Sequence, residues 1–228
     1  MNLPSRRVES SQKGPHPRLI EIVEKHKNSV WHRPLSDSAR RSFDQLEQRV
    51  GNWRGQRILD TGCGTGRGTL AWATKEPDAL VIGVDKSSDR LDRIHPHPEN
   101  VLLVRMNLED FWPLAKEAGW TFSRQLFLYP NPWPKPEQRL RRWAFHPVLP
   151  AAYSCGGVWE VRTNWEVYAQ EMALAHAQFS GFTQPVCEFY PLNPLTAFEK
   201  KYAESQHKLW RWISEFPEIP SKKWRLGP

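Results

Sequence analysis

Apolar residues recur at helical spacing from Leu19 through Val30 and again from Ser36 to Val50, the second stretch opening on a Ser-Asp-Ser cluster suited to capping a helix. The period then changes. Short β-rich runs at Arg57–Leu59, Leu80–Val84, Val101–Arg105, Leu126–Tyr129, Val158–Arg162, Val186–Tyr190 and Leu209–Ile213 predict strands. Amphipathic stretches near Thr69–Lys75, Ser88–Ile94, Leu108–Ala118, Glu137–Phe145 and Trp165–Phe179 predict the helices between them. Such alternation builds βα units around a mostly parallel sheet, so the expected fold class is α/β and Rossmann-like, seven strands with helices on both faces. Residues from Met1 to about Pro17 are polar and basic, too poor in apolar surface to order themselves, and read as a flexible tail. The expected division is a basic tail with two helices over 1–50 and the α/β domain over 51–228.

A chain of 228 residues buries one sizeable core, which places function in one site. With 32 Lys+Arg against 25 Asp+Glu the net charge is +7, which suits a polyanionic partner or simply a solvated basic surface. Some of the 12 Trp stand beside positive charge, as in Arg141-Arg142-Trp143, Trp210-Arg211-Trp212 and Lys222-Lys223-Trp224-Arg225. That interleaving suits base stacking next to phosphate contacts, although most Trp in a folded domain are core or rim residues. Cys63, Cys155 and Cys187 lack CxxC spacing, which suggests neither a disulfide framework nor a zinc site and fits a reducing cytoplasm. No apolar stretch is long enough for a signal core or a membrane span, so membrane attachment is not expected.

The most informative segment is Ile58-Leu59-Asp60-Thr61-Gly62-Cys63-Gly64-Thr65-Gly66-Arg67-Gly68, an apolar strand running into alternating glycines and then a helix. Glycines there let a ligand approach the backbone. The dinucleotide fingerprint counted from Gly62 meets Arg67 where its third glycine should be, and a register counted from Gly66 starts too far beyond the strand. No Gly-Lys-Ser/Thr closes a P-loop. Asp60 before the turn would repel a pyrophosphate but welcome the ammonium and sulfonium of S-adenosylmethionine. Asp85 ends the second strand, where a carboxylate can hold ribose hydroxyls, and Asn107 follows the third, placed for an adenine edge. Singly, these residues read as a turn former, a helix cap and a strand terminator; together at successive strand ends they point to S-adenosylmethionine.

Tyr129-Pro130-Asn131-Pro132-Trp133-Pro134-Lys135, trailed by Arg139, Arg141 and Arg142, resembles the Pro-Asp-Pro-Trp-x-Lys signature of the bacterial tRNA (guanine-N7-)-methyltransferases. Arg162-Thr163-Asn164-Trp165-Glu166-Val167-Tyr168 is similar to that family's Thr-Asp-x-x-x-Tyr, and Pro194 through Tyr202 to its Thr-x-Phe-Glu segment. The resemblance spans roughly Trp53 to Trp212. It implies cofactor contacts at Asp60, Gly62, Gly64, Asp85, Asn107 and Asn131, the last also at the catalytic position, and substrate contacts at Lys135, Asn164, Thr196 and Glu199. It implies tRNA as partner, cytoplasmic location, no metal, and a monomer or weak homodimer. Asn131 and Asn164 replace family acids, Gln138 a histidine and Asn193 an arginine.

Prolines at 130, 132 and 134 restrict the backbone around Asn131 and Trp133 at the end of a strand, where open α/β sheets bind ligands. Lys135 and the arginines would meet phosphates or form the solvated face of a helix. Guanine N7 presents an unprotonated lone pair, so its methylation needs alignment and charge stabilisation rather than a base. An Asn offers one acceptor and brings a donor where a carboxylate accepts twice, which changes how a guanine edge can be read. Three functions stay open on these grounds: guanine-N7 methylation in the tRNA variable loop, methylation of another RNA base or a small molecule, and RNA binding without transfer.

Overall fold

Burial along the short apolar runs alternates between two faces of one sheet, and each face is covered by helices. The computed structural model describes residues 5–29, 31, 33–51, 53–93 and 97–215; the basic Lys222-Lys223-Trp224-Arg225 cluster lies outside them. The strands are β1 (Arg57–Thr61), β2 (Leu80–Asp85), β3 (Val101–Arg105), β4 (Arg124–Leu128), β5 (Val158–Thr163), β6 (Cys187–Phe189) and β7 (Leu209–Ile213). They form a 7-stranded sheet in the order β3-β2-β1-β4-β5-β7-β6. β1 to β5 pair in parallel, and β7 runs antiparallel between β5 and β6. The expected seven-stranded, mostly parallel α/β sheet is therefore the observed one.

Eight α-helices of the described residues flank it: α1 (Leu19–Lys27), α2 (Asp37–Val50), α3 (Arg67–Lys75), α4 (Ser88–Leu91), α5 (Leu108–Glu117), α6 (Leu149–Ser154), α7 (Glu166–Ser180) and α8 (Ala197–Glu204). α2 forms because Ser36 accepts a hydrogen bond from the Ala39 amide and because Ala39, Phe43, Leu46 and Val50 line its inner face. Leu59, Ile82, Val84, Phe127, Trp159 and Val161 form one sheet face with residues of α1, α2, α5 and α7. Ile58, Val81, Leu126 and Leu128 form the other, against Trp72 and Ala73 of α3. Each large apolar side chain so buried contributes roughly 1.5–3 kcal/mol.

Three expectations need correction. Glu137–Phe145 is not an α-helix but two 3-10 turns, Pro136–Arg141 and Trp143–Phe145, separated by extended Arg142, whose buried side chain pulls the backbone inward. Helix α6 and helix α8 carry segments that the apolar period did not reveal. The stretch from Ser5 to Pro17 has no regular structure, yet it is anchored: the polar groups that argued against a buried core supply hydrogen bonds to Pro134, Arg142, Glu171, Ser205 and His207. No helix among the described residues is long and apolar enough to cross a membrane.

Strand order reverses at β1, which has β2 on one side and β4 on the other. Loops leaving the two strands there diverge and leave a crevice at the carboxyl ends of the sheet.

Candidate functional site

β1 carries Asp60 to that edge, and the chain turns at once through Gly62, Gly64 and Gly66, with φ of 69°, 59° and 79°. Left-handed backbone of this kind favours glycine. A Cβ at Gly62 or Gly64 would have no atom within 4 Å, so the main chain borders the crevice directly. Gly83 of β2 has the opposite role. A Cβ there would stand 2.6 Å from Thr69 Oγ1 and 2.9 Å from Cys63 Sγ, so only glycine lets the turn lie against β2.

Asp60 is buried and accepts the Thr69 hydroxyl at 2.7 Å. Burial pushes its carboxyl up to about 6, with the Asp85 charge adding to the rise and the Thr69 bond opposing it. Asp85, also buried, accepts the Gly64 amide on Oδ2 and the Ser87 amide on Oδ1, each at 2.9 Å, so it fixes the turn. Arg90 approaches it at 3.4 Å from the exposed side. Each carboxylate oxygen of Asp85 retains a lone pair for a hydroxyl donor. The Cys63 thiol is raised far above its ordinary range by burial and both neighbouring carboxylates, which suits no nucleophilic role.

A cleft of about 830 Å³ joins these groups to the substrate side. Asp60, Gly62, Gly64, Asp85, Asn107, Asn131, Asn164 and Thr196 all border it. Asn107 precedes α5 without a side-chain capping bond, leaving its amide available between the buried side chains of Met106 and Leu108. Met106 and Leu108 add apolar lining next to it, and a desolvated carboxylate beside an open backbone turn suits a ligand with an ammonium. The residues present therefore fit S-adenosylmethionine. Exposed Arg67, Lys86, Arg90, Arg93 and Arg141 stand at the rim, so acid lines the floor and base the mouth.

On the far wall, Tyr129 and Trp133 bracket Asn131, and both adopt positive φ, 52° and 45°. Such backbone in bulky residues stores strain of about 1–3 kcal/mol each. Arg142 holds it in place by donating from Nε to the Trp133 carbonyl at 3.0 Å, and the Arg141 guanidinium lies 4.6 Å over the Trp133 ring. Asn131 is exposed at the centre of this loop. Asn164 is half-buried and its Nδ2 lies 3.2 Å from His207 Nδ1.

Two substrate positions are not brought to the cleft wall. Lys135 is exposed but stands outside it. Glu199 is fully buried and its carboxylate is committed: it accepts from the Tyr129 hydroxyl at 3.0 Å, from Arg162 at 3.1 Å and from the Leu195 amide at 2.6 Å. The structure thus places Glu199 among protein partners and away from the cleft lining, where an edge-reading role would have set it. Thr196 borders the cleft, but its hydroxyl caps α8 by accepting from the Glu199 amide. Arg142, expected on a phosphate-binding face, is buried in an ion pair with Glu171 at 2.7 Å. Trp212 is buried and belongs to the core, whereas Trp143 is half-buried, packing edge-on at 5.1 Å against Trp112 while also bordering the cleft. Met106 and Leu108 were missed because motifs mark polar residues at strand ends rather than the apolar lining between them, and Thr69 because its bond to Asp60 is made from inside a helix.

A family described as a putative methyltransferase matches residues 54–212. A tRNA (guanine-N(7)-)-methyltransferase of Nitrosococcus oceani is 25% identical over 167 residues, which cover 70% of this chain and 71% of the relative. One of Ectopseudomonas mendocina is 27% identical over 184 residues, covering 75% of each chain. Among solved structures, an antibiotic-related methyltransferase superposes with a TM-score of 0.58 at 17% identity, over 84% of this chain and 98% of that one. The 16S rRNA methyltransferase KamB gives 0.56 at 18% identity, over 80% and 94%. The two superpositions speak to the fold.

Proposed function

The chain belongs to the methyltransferase family whose model spans its α/β core, enzymes of the class I fold that use S-adenosylmethionine, and from that premise we propose that its methyl acceptor is N7 of a guanine in the variable loop of tRNA. The observation that carries this reading is one cleft that has buried acids on its floor, Asn131 on its far wall and exposed cations at its mouth. A cationic donor suits the floor and a polyanion the mouth. The relatives' names point to guanine N7 of a tRNA, and the variable loop is what the sequence resemblance implies. The protein would act in the cytoplasm, as a monomer or weak homodimer.

When bound, S-adenosylmethionine supplies a methyl group on a sulfonium. Asp60 would meet the ammonium of its methionine part, Asp85 the ribose hydroxyls and Asn107 the adenine edge. Asn131 would sit where acceptor and methyl meet. N7 would bring its own lone pair to that methyl group, so no residue of the chain would need to take up a proton, and the residues around the acceptor would have only to tolerate the positive charge passing to the ring. The chain's contribution is alignment and electrostatic stabilisation.

The burial of Glu199 favours a second reading. With that carboxylate committed inside the fold, edge recognition would fall to Asn131 and Asn164, whose amides accept less and donate more than the family's acids. Another RNA base, or a small molecule, would then be the acceptor. Incubation with labelled S-adenosylmethionine and bulk tRNA, followed by nucleoside analysis, separates the readings. 7-Methylguanosine is the expected product; a different methylated nucleoside would establish the second, and cofactor binding without any transfer to tRNA would leave an RNA-binding or small-molecule role.

A further inference from the structure

The segment ahead of α1 bonds at three points to residues that stand behind the Asn131 and Asn164 side of the cleft. At its start the Ser5 amide donates to Ser205 Oγ at 2.9 Å, and His207 Nε2 lies 3.0 Å from the Ser5 carbonyl. A carbonyl only accepts, so His207 carries its proton on Nε2 and its Nδ1 takes the Asn164 Nδ2–H at 3.2 Å. The Asn164 amide is thereby oriented with its oxygen as the remaining acceptor. Further along, Ser10 Oγ donates to the Pro134 carbonyl at 2.6 Å.

The third point is Gln12. Its Oε1 accepts from both Nη1 and Nη2 of Arg142 at 3.1 Å, and its Nε2 donates to Glu171 Oε1 at 2.7 Å. Arg142 and Glu171 both have fully buried side chains. The same guanidinium donates to the carbonyls of Trp133 and Lys135, at 3.0 and 3.4 Å, on either side of Pro134. A loop with strained Tyr129 and Trp133 holds its shape only while its surroundings over-determine it. Removing an acceptor from a buried guanidinium leaves donors unsatisfied and lets the group shift.

We propose that residues 5–16 are a positioning strap of the active site: Gln12, through Arg142, and Ser10 directly fix the loop that presents Asn131, while Ser5, through His207, orients Asn164. None of these strap residues touches substrate. Their effect is on the geometry of the two asparagines, and it leaves the acid-lined cofactor half alone, because no strap residue bonds to the glycine turn among the described residues.

Gln12→Ala and Ser10→Ala in the full chain test this. Each should lower kcat for methyl transfer to tRNA about 10-fold, the scale set by small misplacements of positioning groups, with S-adenosylmethionine affinity falling far less, since only the Asn131 contact is disturbed. Hydrogen–deuterium exchange should quicken at the Asn131, Trp133 and Lys135 amides and stay constant from Gly62 to Gly66. Unaltered exchange in the proline-rich loop would overturn the proposal, as would an unaltered kcat, or a fall in kcat that merely tracks lost cofactor affinity. The kinetic arm rests on the methyl-transfer reading. Were the unmodified protein to methylate no tRNA, that reading would fail by itself, and exchange would still decide whether the strap holds the loop.

Discussion

Asp60 and Asp85 are both buried carboxylates at strand ends, yet their surroundings give them different tasks. Asp85 receives two backbone amides. Asp60 has one hydroxyl partner and is pushed up from 3.8 to about 6 by burial. Between those two values the folded protein binds a proton that the unfolded chain has already lost, so stability falls as pH rises through the window, by roughly 3 kcal/mol in all. A cationic ligand reverses the preference by favouring the ionised form. Cofactor affinity is therefore expected to drop as pH falls below about 6, and binding at that pH to release a proton. Calorimetry at pH 6 in two buffers of different ionisation enthalpy reads this directly, and equal apparent enthalpies would remove Asp60 from the ligand's surroundings. Asp60→Asn should raise stability at neutral pH while weakening cofactor binding at least 10-fold, the pattern of a functional group held at the expense of the fold. Asp85→Ala differs in kind: it unties the Gly64 and Ser87 amides as well as removing the carboxylate proposed to hold the ribose, and charge-assisted bonds of about 1.5–3 kcal/mol each imply a loss of cofactor affinity of 100-fold or more. Near-normal affinity in that variant would exclude Asp85 from the site.

At the scale of elements, period and punctuation located all seven strands, two of them with both ends right, because a buried parallel sheet demands continuous apolar runs between turns. The acids and glycines at the ends of β1 and β2 were legible for the same reason: polar residues at the edge of an apolar run stand out. The segment after β4 was not legible. Its arginines looked like one charged helical face, but Arg142 pairs with a glutamate 29 residues further on, a contact that no local pattern encodes. Nor does sequence announce positive φ at Tyr129 or Trp133. Helix α8 could have been read, since Thr196 followed three residues later by Glu199 is the spacing of a capping box. Here Thr196 does accept from the Glu199 amide, while the Glu199 side chain turns to the Leu195 amide, Tyr129 and Arg162. That pair therefore serves the fold. Thr196→Ala should cost about 1 kcal/mol of stability, and Glu199→Gln more, because it leaves buried Arg162 with a weaker partner. Thermal unfolding of both variants checks this, and a Glu199→Gln protein of normal stability that methylated a different nucleoside would restore Glu199 as a reader of the base.

For the whole molecule the issue is where a net charge of +7 acts. Two arginines are spent internally: Arg142 on Glu171, and Arg162 on Glu160 and Glu199. These cannot release counterions from a nucleic acid. The cations that can are exposed ones such as Arg67, Lys86, Arg93 and Arg141 at the cleft mouth and Lys135 beside it. Exposed and buried cations should then separate cleanly in a salt titration of tRNA binding. Each exposed cation that touches a phosphate contributes about 0.7–0.9 to the slope of log affinity against log salt, so Lys135→Ala should flatten the slope by roughly that amount while leaving thermal stability untouched. Arg142→Ala should behave the other way. Loss of one partner of a buried ion pair destabilises by about 3–5 kcal/mol, so its melting temperature should fall steeply while the slope measured below melting stays that of the unmodified protein. An unchanged slope in Lys135→Ala would mean that this lysine meets no phosphate, and a flattened slope in a folded Arg142→Ala protein would mean that tRNA binding opens the core enough to recruit a charge the free protein keeps inside.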